Sequence, residues 1–273
     1  VLNLESLIMV DKIKLWSSEV ASLPKGSLYL SSSRGRIYFV HYLNGRRHGI
    51  SNDMDLVYKL ARKHYLTALI RQYRNALHSS VNKSMLSSDP DEASSGLHSP
   101  AHTLLVKYRN VGLNTTRISS TPEQYKWTSD AFRTNPYPNQ GTCYESYNGV
   151  ALRSKSEQTI SNELESFGIP YRYESEVNLD VSWMTGINGL SSGRYKYYYP
   201  DFQIMLADGS IVIWEHLGRV DLDKYRSHTM EKISAYRQSG LVDDTHLILT
   251  FEKDLEKPET LRALISNRIL PYV

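Results

Sequence analysis

Asp201 and Glu215 stand at the outer ends of the stretch YPDFQIMLADGSIVIWEHLG, residues 199–218, beside residues that belong in a core. Acidic residues are depleted in strands, and a buried charge needs a partner. Two carboxylates brought together by a hairpin repel each other unless something cationic sits between them. A divalent metal is the simplest such object.

The turn decides whether the two acids meet. Ala207-Asp208-Gly209 suits a three-residue hairpin loop with Gly209 in the left-handed position of a bulge. Leu206 then faces Ser210 and Asp201 faces Glu215, so both carboxylates share one face of the strand pair. A two-residue loop at Asp208-Gly209 would instead set Asp201 opposite His216 and separate the acids. The three-residue loop is preferred because it gives the acids one face.

The elements that must position them follow from periodicity and punctuation. RSKSEQTISNELESFG reads as a helix, with Ser154 and Glu157 at capping-box spacing, Ile160, Leu164 and Phe167 on one face, and Gly168 ending it. IPYRYESEV reads as a strand, YYPDFQIML and SIVIWEHL as the next two, and Gly186 to Tyr199 as an interruption between the first and second. A helix is expected from about Asp223 to Gln238, with Tyr225, Thr229, Lys232 and Tyr236 along one face, then a strand HLILTF and a closing helix PETLRALISNRI. The order from residue 150 is α-β-β-β-α-β-α.

The front half reads as a helix over 3–22, a hairpin with its turn at Ser33-Arg34-Gly35, a second turn at Asn44-Gly45, and a long helix from Asp53 to about His78. In that helix Leu56, Leu60, Leu69, Tyr73 and Leu77 fall near one stripe, while Lys59, Arg62, Lys63, Arg71 and Arg74 cover much of the rest. Those cations either solvate the helix or contact a duplex. Residues 79–100 read as a linker or mobile loop and 101–149 as a connecting region, in which TPEQYKWTSDAF looks like a short helix capped at Thr121. The domains expected are thus a basic helix/hairpin/helix region over 1–78 and a second domain over 150–273.

Composition agrees with a globular chain, with 40% hydrophobic and 22% charged residues in 273. No apolar run is long enough for a membrane span and no signal-peptide pattern is present, so a cytoplasmic protein is expected. The single cysteine, Cys143, excludes intramolecular disulfides and Cys-rich zinc sites. Residues 1–88 hold 13 Lys/Arg against 5 Asp/Glu, and residues 145–273 hold 14 against 19. A basic front and an acidic back suggest a polyanion-binding arm on a metal-binding domain. No Walker loop, nucleophile elbow, HExxH motif or Cys/His ligand spacing is present.

The order α-β-β-β-α-β, with an acid in the first helix, PD opening the second strand and an acid on the third, resembles the PD-(D/E)xK, or restriction-endonuclease-like, nuclease superfamily over residues 153–251. RSKSE, YPDF and WEHLG also resemble an uncharacterised bacterial and phage-related branch, whose LPKGSL start and long helix extend the likeness across most of the chain. The resemblance implies a mixed α/β fold with an αβββαβ core in the C-terminal half. It implies a Mg²⁺-dependent endonuclease, with Mn²⁺ able to substitute, that hydrolyses DNA, RNA being left open. Asp201 would be the central metal ligand, Glu215 the second, the backbone carbonyl of His216 a third, and Glu157 a ligand directly or through water. A double-strand cut needs two active sites or two events, which admits a homodimer.

The chain departs from the pattern at one point. Lys is expected two residues after the second acid, and position 217 is Leu. Lys232, four before Tyr236 on the following helix, is the first choice to replace it, and its loss is expected to cost little stability. Lys155 and His216 are second choices, and Lys232-x-x-x-Tyr236 resembles the helical Gln-x-x-x-Tyr element of some relatives. Each residue also has a purely structural reading: Glu157 as a capping acid, Asp201 as a turn cap, Lys232 as a surface lysine laying its stem on the protein. The alternative function is a catalytically inactive nuclease-fold protein that binds nucleic acid or a protein partner.

Overall fold

The computed structural model describes residues 4–83, 99–137, 141–180, 195–218, 223–241 and 245–270. The chain is mixed α/β and divides into two compact units, residues 1–119 with 166–168, and residues 120–165 with 169–273. The stretch 101–149 is therefore shared between both. Among the described residues no helix is long and apolar enough to cross a membrane.

The first unit comprises α1 (Leu4–Ser22), β1 (Ser27–Ser33), β2 (Arg36–Leu43), β3 (Arg46–Gly49), α2 (Met54–Lys83), α3 (Pro100–Arg109) and α4 (Thr115–Ser119). Its strands form an antiparallel meander in the order β1-β2-β3. Both turns fall where the sequence marks them. Arg34-Gly35 and Asn44-Gly45 take positive φ at both positions (51° and 74°, 50° and 77°), the mirror-image turn whose twist suits flanking strands. Leu28 and Phe39 on one face of the sheet join Val57, Leu60 and Ala61 of α2 and Leu105 and Tyr108 of α3 in a core. Helix α2 runs past the expected end at His78, and residues 84–98, most of the expected linker, lie outside the described residues.

The stripe expected on α2 is corrected. Its buried hydrophobic residues are Val57, Leu60, Ala61, Leu66 and Ile70, whereas Leu56, Leu69, Tyr73 and Leu77 are half-buried. The helix is covered from more than one side, by α1 as well as by the sheet, α3 and α4, and Trp16 of α1 meets Tyr73 edge-on with ring centroids 4.9 Å apart.

Two cations expected on a duplex-contacting surface are instead fastened inside this unit. Arg62 is buried; its guanidinium pairs with Glu19 at 2.8 Å and donates to the carbonyls of Ile118 (2.9 Å) and Ser119. Lys63 donates to the carbonyls of Pro24 and Gly26 at 2.9 and 3.3 Å, closing the chain between α1 and β1 onto α2. Lys59 is exposed and paired with Asp55 at 2.6 Å, and Arg71 and Arg74 are exposed. Breaking a mostly buried ion pair costs about 3–5 kcal/mol. Arg62→Ala should therefore lower the urea unfolding free energy by roughly 3 kcal/mol, while Arg71→Ala and Arg74→Ala should change it by less than about 0.5 kcal/mol.

The second unit comprises α5 (Pro122–Ser129), β4 (Tyr144–Glu145), β5 (Ala151–Leu152), α6 (Lys155–Ser166), β6 (Tyr171–Tyr173), β7 (Val177–Asp180), β8 (Tyr195–Tyr198), β9 (Phe202–Met205), β10 (Ile211–Leu217), α7 (Asp223–Gln238), β11 (Leu247–Phe251), α8 (Glu252–Leu255) and α9 (Pro258–Arg268). Thr121 caps α5 in a capping box with Gln124, as the sequence signals. The order in the four-stranded sheet is β11-β10-β9-β6. The β6–β9 and β9–β10 pairs are antiparallel, and β10–β11 is parallel, with α7 as the crossover that a parallel pair requires.

Two expected strands are each broken in two. IPYRYESEV splits into β6 and β7 around Glu174, a non-glycine residue at φ 44°, and YYPDFQIML splits into β8 and β9 at Tyr199-Pro200-Asp201. β7 and β8 pair as a separate ribbon. Pro200 has no N–H for a ladder, and the Glu174 N–H reaches the Asp201 carbonyl at 3.1 Å instead. Residues 181–194, most of the expected interruption, lie outside the described residues.

Candidate active site

The β9–β10 hairpin has the three-residue loop. Leu206 N–H donates to the Ser210 carbonyl at 2.9 Å, Gly209 sits at φ 85°, and Phe202 pairs with Trp214. Continued by one residue, that register sets Asp201 opposite Glu215, and alternation keeps both on one face. The next position would join His216 to Pro200, which has no N–H to give the His216 carbonyl. The His216 N–H goes to the Asp201 carboxylate, at 2.6 Å to Oδ2. The break before β9 therefore turns a ladder position into a contact with the acid.

Glu215 is 4% exposed, and its charge is met from α7. Lys232 Nζ lies 2.7 and 2.8 Å from its two carboxylate oxygens and also donates to the Tyr199 carbonyl at 2.7 Å. Tyr236, one turn further along α7, donates its hydroxyl to Glu215 Oε1 at 2.7 Å. Beneath them Ile213, Leu217, Ile233 and Leu247 form a buried cluster that fixes α7 on the sheet. Leu217 belongs to that cluster, so the position where the resemblance expects lysine serves packing. Lys232 and Tyr236 reach the sheet on the expected face, Thr229 on the same face is buried, and the side chain of Tyr225 lies outside the described residues.

Glu157 completes a capping box at the start of α6: Ser154 Oγ accepts from the Glu157 N–H at 3.1 Å, and Glu157 Oε2 accepts from the N–H groups of Ser154 and Arg153 at 3.0 and 2.9 Å. The Tyr173 hydroxyl donates to the same oxygen at 2.8 Å. The capping role does not remove Glu157 from the acids, because its charge is felt at Asp201. Burial pushes the Asp201 carboxyl well above the usual carboxylate range, Glu215 and then Glu157 add to that rise, and Lys232 and the His216 N–H oppose it. Burial and the charge of Glu215 likewise push up the Tyr236 phenol, which stays a proton donor.

An acid raised in this way keeps its proton in the folded protein at pH values where the unfolded chain has lost it. Stability of the metal-free protein therefore falls as pH rises from the unfolded carboxylate range through the raised native value. Asp201→Asn should be more stable than the parent at neutral pH by about 0.5–2 kcal/mol, the usual gain on relieving a strained functional group. The advantage should vanish at acid pH, where Asp201 carries its proton; denaturant melts across pH in EDTA measure this.

The side chain of His216 leaves the acids. Residue 216 points to the opposite sheet face, where Nδ1 lies 3.2 Å from Thr250 Oγ1 and Nε2 lies 3.2 Å from Glu252 Oε1. The Trp214 indole N–H already donates to Thr250 Oγ1, which leaves the Thr250 proton for Nδ1 and the Nε2 proton for Glu252. The imidazole is thereby excluded as the substitute for the missing lysine, while the backbone of His216 stays at Asp201. Lys155 is exposed at the first turn of α6, and it is Lys232 that meets the acids.

Asp201, Glu215 and Lys232 open into a cleft of about 510 Å³, also lined by Tyr137, Glu174 and Tyr197. Sequence reading passed over these last three. Glu174 accepts from Arg153 Nε at 2.7 Å and from Asn135 Nδ2 at 2.9 Å, and Arg153 also donates to the Tyr137 carbonyl at 2.5 Å. Glu174 thus holds the 135–137 segment at the mouth of the cleft, which accounts for a left-handed residue kept at a site wall. Sequence reading takes IPYRYESEV as one strand, so nothing in it marked Glu174.

The donor set can be weighed against a metal. Among the described residues, no group of three or more His, Cys, Asp and Glu side chains stands as a metal site. Asp201 and Glu215 nevertheless supply two hard carboxylates on one face, the kind of donor Mg²⁺ and Mn²⁺ take. The deep Asp201 carboxyl, opposed by two other acids, would regain its charge beside a cation. These two carboxylates would fit such an ion once Lys232 yields the Glu215 oxygens it holds. Comparison of the chain with family models, with curated proteins and with solved structures finds no match.

Proposed function

We propose that this chain is a metal-dependent nuclease that hydrolyses DNA phosphodiesters, with its active centre at Asp201, Glu215 and Lys232. The observation that carries the reading is the meeting of these three groups at the end of the β9–β10 pair. It is supported by β6, β9, β10 and β11 sharing one sheet, with α6 before them and α7 between the last two; with the separate β7–β8 ribbon set aside, this is the order α-β-β-β-α-β that the restriction-endonuclease-like resemblance implies.

Asp201 and Glu215, with the His216 carbonyl, would hold Mg²⁺ or Mn²⁺, which lowers the pKa of an attacking water and offsets charge developing on the phosphate. Tyr236 keeps the Glu215 carboxylate in one orientation. Lys232 supplies the cation that the pattern places at position 217, with its ammonium at the acids to orient the attacking water and take part in its proton transfer. Glu157 adds negative charge from the start of α6.

The second reading, a silent nuclease-fold binder, draws on the Lys232–Glu215 pair, which already neutralises one acid. Incubation with plasmid and with single-stranded DNA and RNA in Mg²⁺, Mn²⁺ or EDTA separates the two. Cleavage in either metal and none in EDTA is expected. Binding without cleavage in any metal would establish the silent protein instead.

A further inference from the structure

We propose that the solvent-facing side of the β1-β2-β3 meander is a binding platform for single-stranded nucleic acid, which stacks its bases on Tyr29 and Tyr42. Alternation along the strands settles which residues face outward. Leu28, Leu30 and Phe39 turn inward to the core, so Tyr29, Ser31, Tyr38, Tyr42, Arg36 and Arg47 turn outward. Tyr29, Tyr38 and Tyr42 are 56%, 41% and 39% exposed, unusual for three large rings on one small sheet. Tyr29 and Tyr42 are diagonal neighbours on β1 and β2, edge to face with centroids 5.9 Å apart. Beside them lies a depression of about 610 Å³ floored by Ser31, Val40 and Gly49, with Arg47 at its edge. Glycine opposite Val40 adds no side chain to that face, and both tyrosines line the depression.

The chain that forms this sheet carries charge of one sign. Between Glu19 and Asp53 the chain has no acidic residue, while Lys25, Arg34, Arg36, Arg46 and Arg47 fall in that interval. All four arginines are exposed. Unlike Arg62 and Lys63, they are not drawn into carbonyls and carboxylates of the fold among the described residues, so this sheet, like Arg71 and Arg74 of α2, presents basic charge to solvent. Exposed aromatic faces with flanking guanidinium groups match a flexible polyanion whose bases are free to stack. A duplex keeps its base faces covered, so the chemistry selects a single strand. The proposal rests on the nuclease reading only for the class of ligand, and it places binding on a surface of the first unit.

The test uses the full chain in EDTA, so that nothing is cut and binding is read apart from cleavage. Fluorescence anisotropy is followed with labelled oligo-dT, oligo-rU and a duplex of equal length over a salt series. Single strands are expected to bind more tightly than duplex, with the dT and rU arms telling DNA from RNA. Tyr29→Ala and Tyr42→Ala should each weaken single-strand binding roughly tenfold, within the range of one lost stacking contact. Tyr29→Leu, which keeps an apolar strand residue, should lose nearly as much, so that a folding defect in an alanine variant does not decide the outcome. Arg36→Gln with Arg47→Gln should reduce the slope of log affinity against log salt by about 1.4, as for two phosphate contacts on a single strand. Unchanged affinity in the tyrosine variants, or equal binding of duplex, overturns the proposal. So does a tyrosine-dependent self-association, seen by sedimentation, with oligonucleotide binding intact, which would assign the face to a second copy of the chain.

Discussion

Asp201→Ala should abolish metal-dependent cleavage while leaving nucleic-acid binding equal or tighter. The carboxylate accepts the His216 N–H and stands opposite Glu215, so removing it takes away one of the two side-chain donors available to a cation. Metal stabilisation of the developing charge is worth several kcal/mol, and about 1.4 kcal/mol is tenfold in rate, so a fall of at least about a thousandfold is expected. Binding survives because one fewer negative charge faces the phosphates. Asp201→Asn, which keeps an acceptor for the His216 N–H, should lose cleavage equally and so separates the loss of the donor from a folding defect of the alanine variant. Glu215→Gln should have the same effect on cleavage and is the better variant at that position, because it keeps a partner for Lys232 and Tyr236. Cleavage that persists in Mg²⁺ with Asp201→Ala would rule this site out.

Lys232→Ala should lower the cleavage rate at least about a hundredfold, the usual scale for a group placed for proton transfer. Lys232→Arg should not restore it, because a guanidinium is planar and does not release its proton near neutral pH. The sequence alone suggests little loss of stability in Lys232→Ala, and the structure revises that. Glu215 is 5% exposed at its side chain, so removing Lys232 strands a buried carboxylate, at about 3–5 kcal/mol. Lys232→Met combined with Glu215→Gln should recover most of that stability and none of the cleavage. Thermal melts with and without Mg²⁺ add a readout that a merely structural lysine would not move: added metal should stabilise Lys232→Ala more than the parent, by replacing the missing positive charge. Normal cleavage by folded Lys232→Ala would end the case for the lysine, and Lys155 would be the next residue to replace.

Local chemistry decided much of this protein in its sequence. Gly209 after Ala207-Asp208 sets the loop, the loop sets the register, and the register sets Asp201 opposite Glu215. Capping residues mark the starts of α5 and α6, Arg34-Gly35 and Asn44-Gly45 mark their turns, and helical spacing brings Lys232 and Tyr236 to one face of α7. All of these depend on neighbours within a few residues, where backbone sterics and hydrogen bonds leave few choices. Tertiary structure alone decided the rest. Arg62 looks like any surface arginine of a basic helix until Glu19, Ile118 and Ser119 close around it from 43 to 57 residues away. Tyr137 and Glu174 reach the cleft only because Arg153 and Asn135 tie separate segments together. A side chain's spacing shows which way it can point, but whether it meets solvent, a core or a carboxylate depends on distant chain that spacing does not encode.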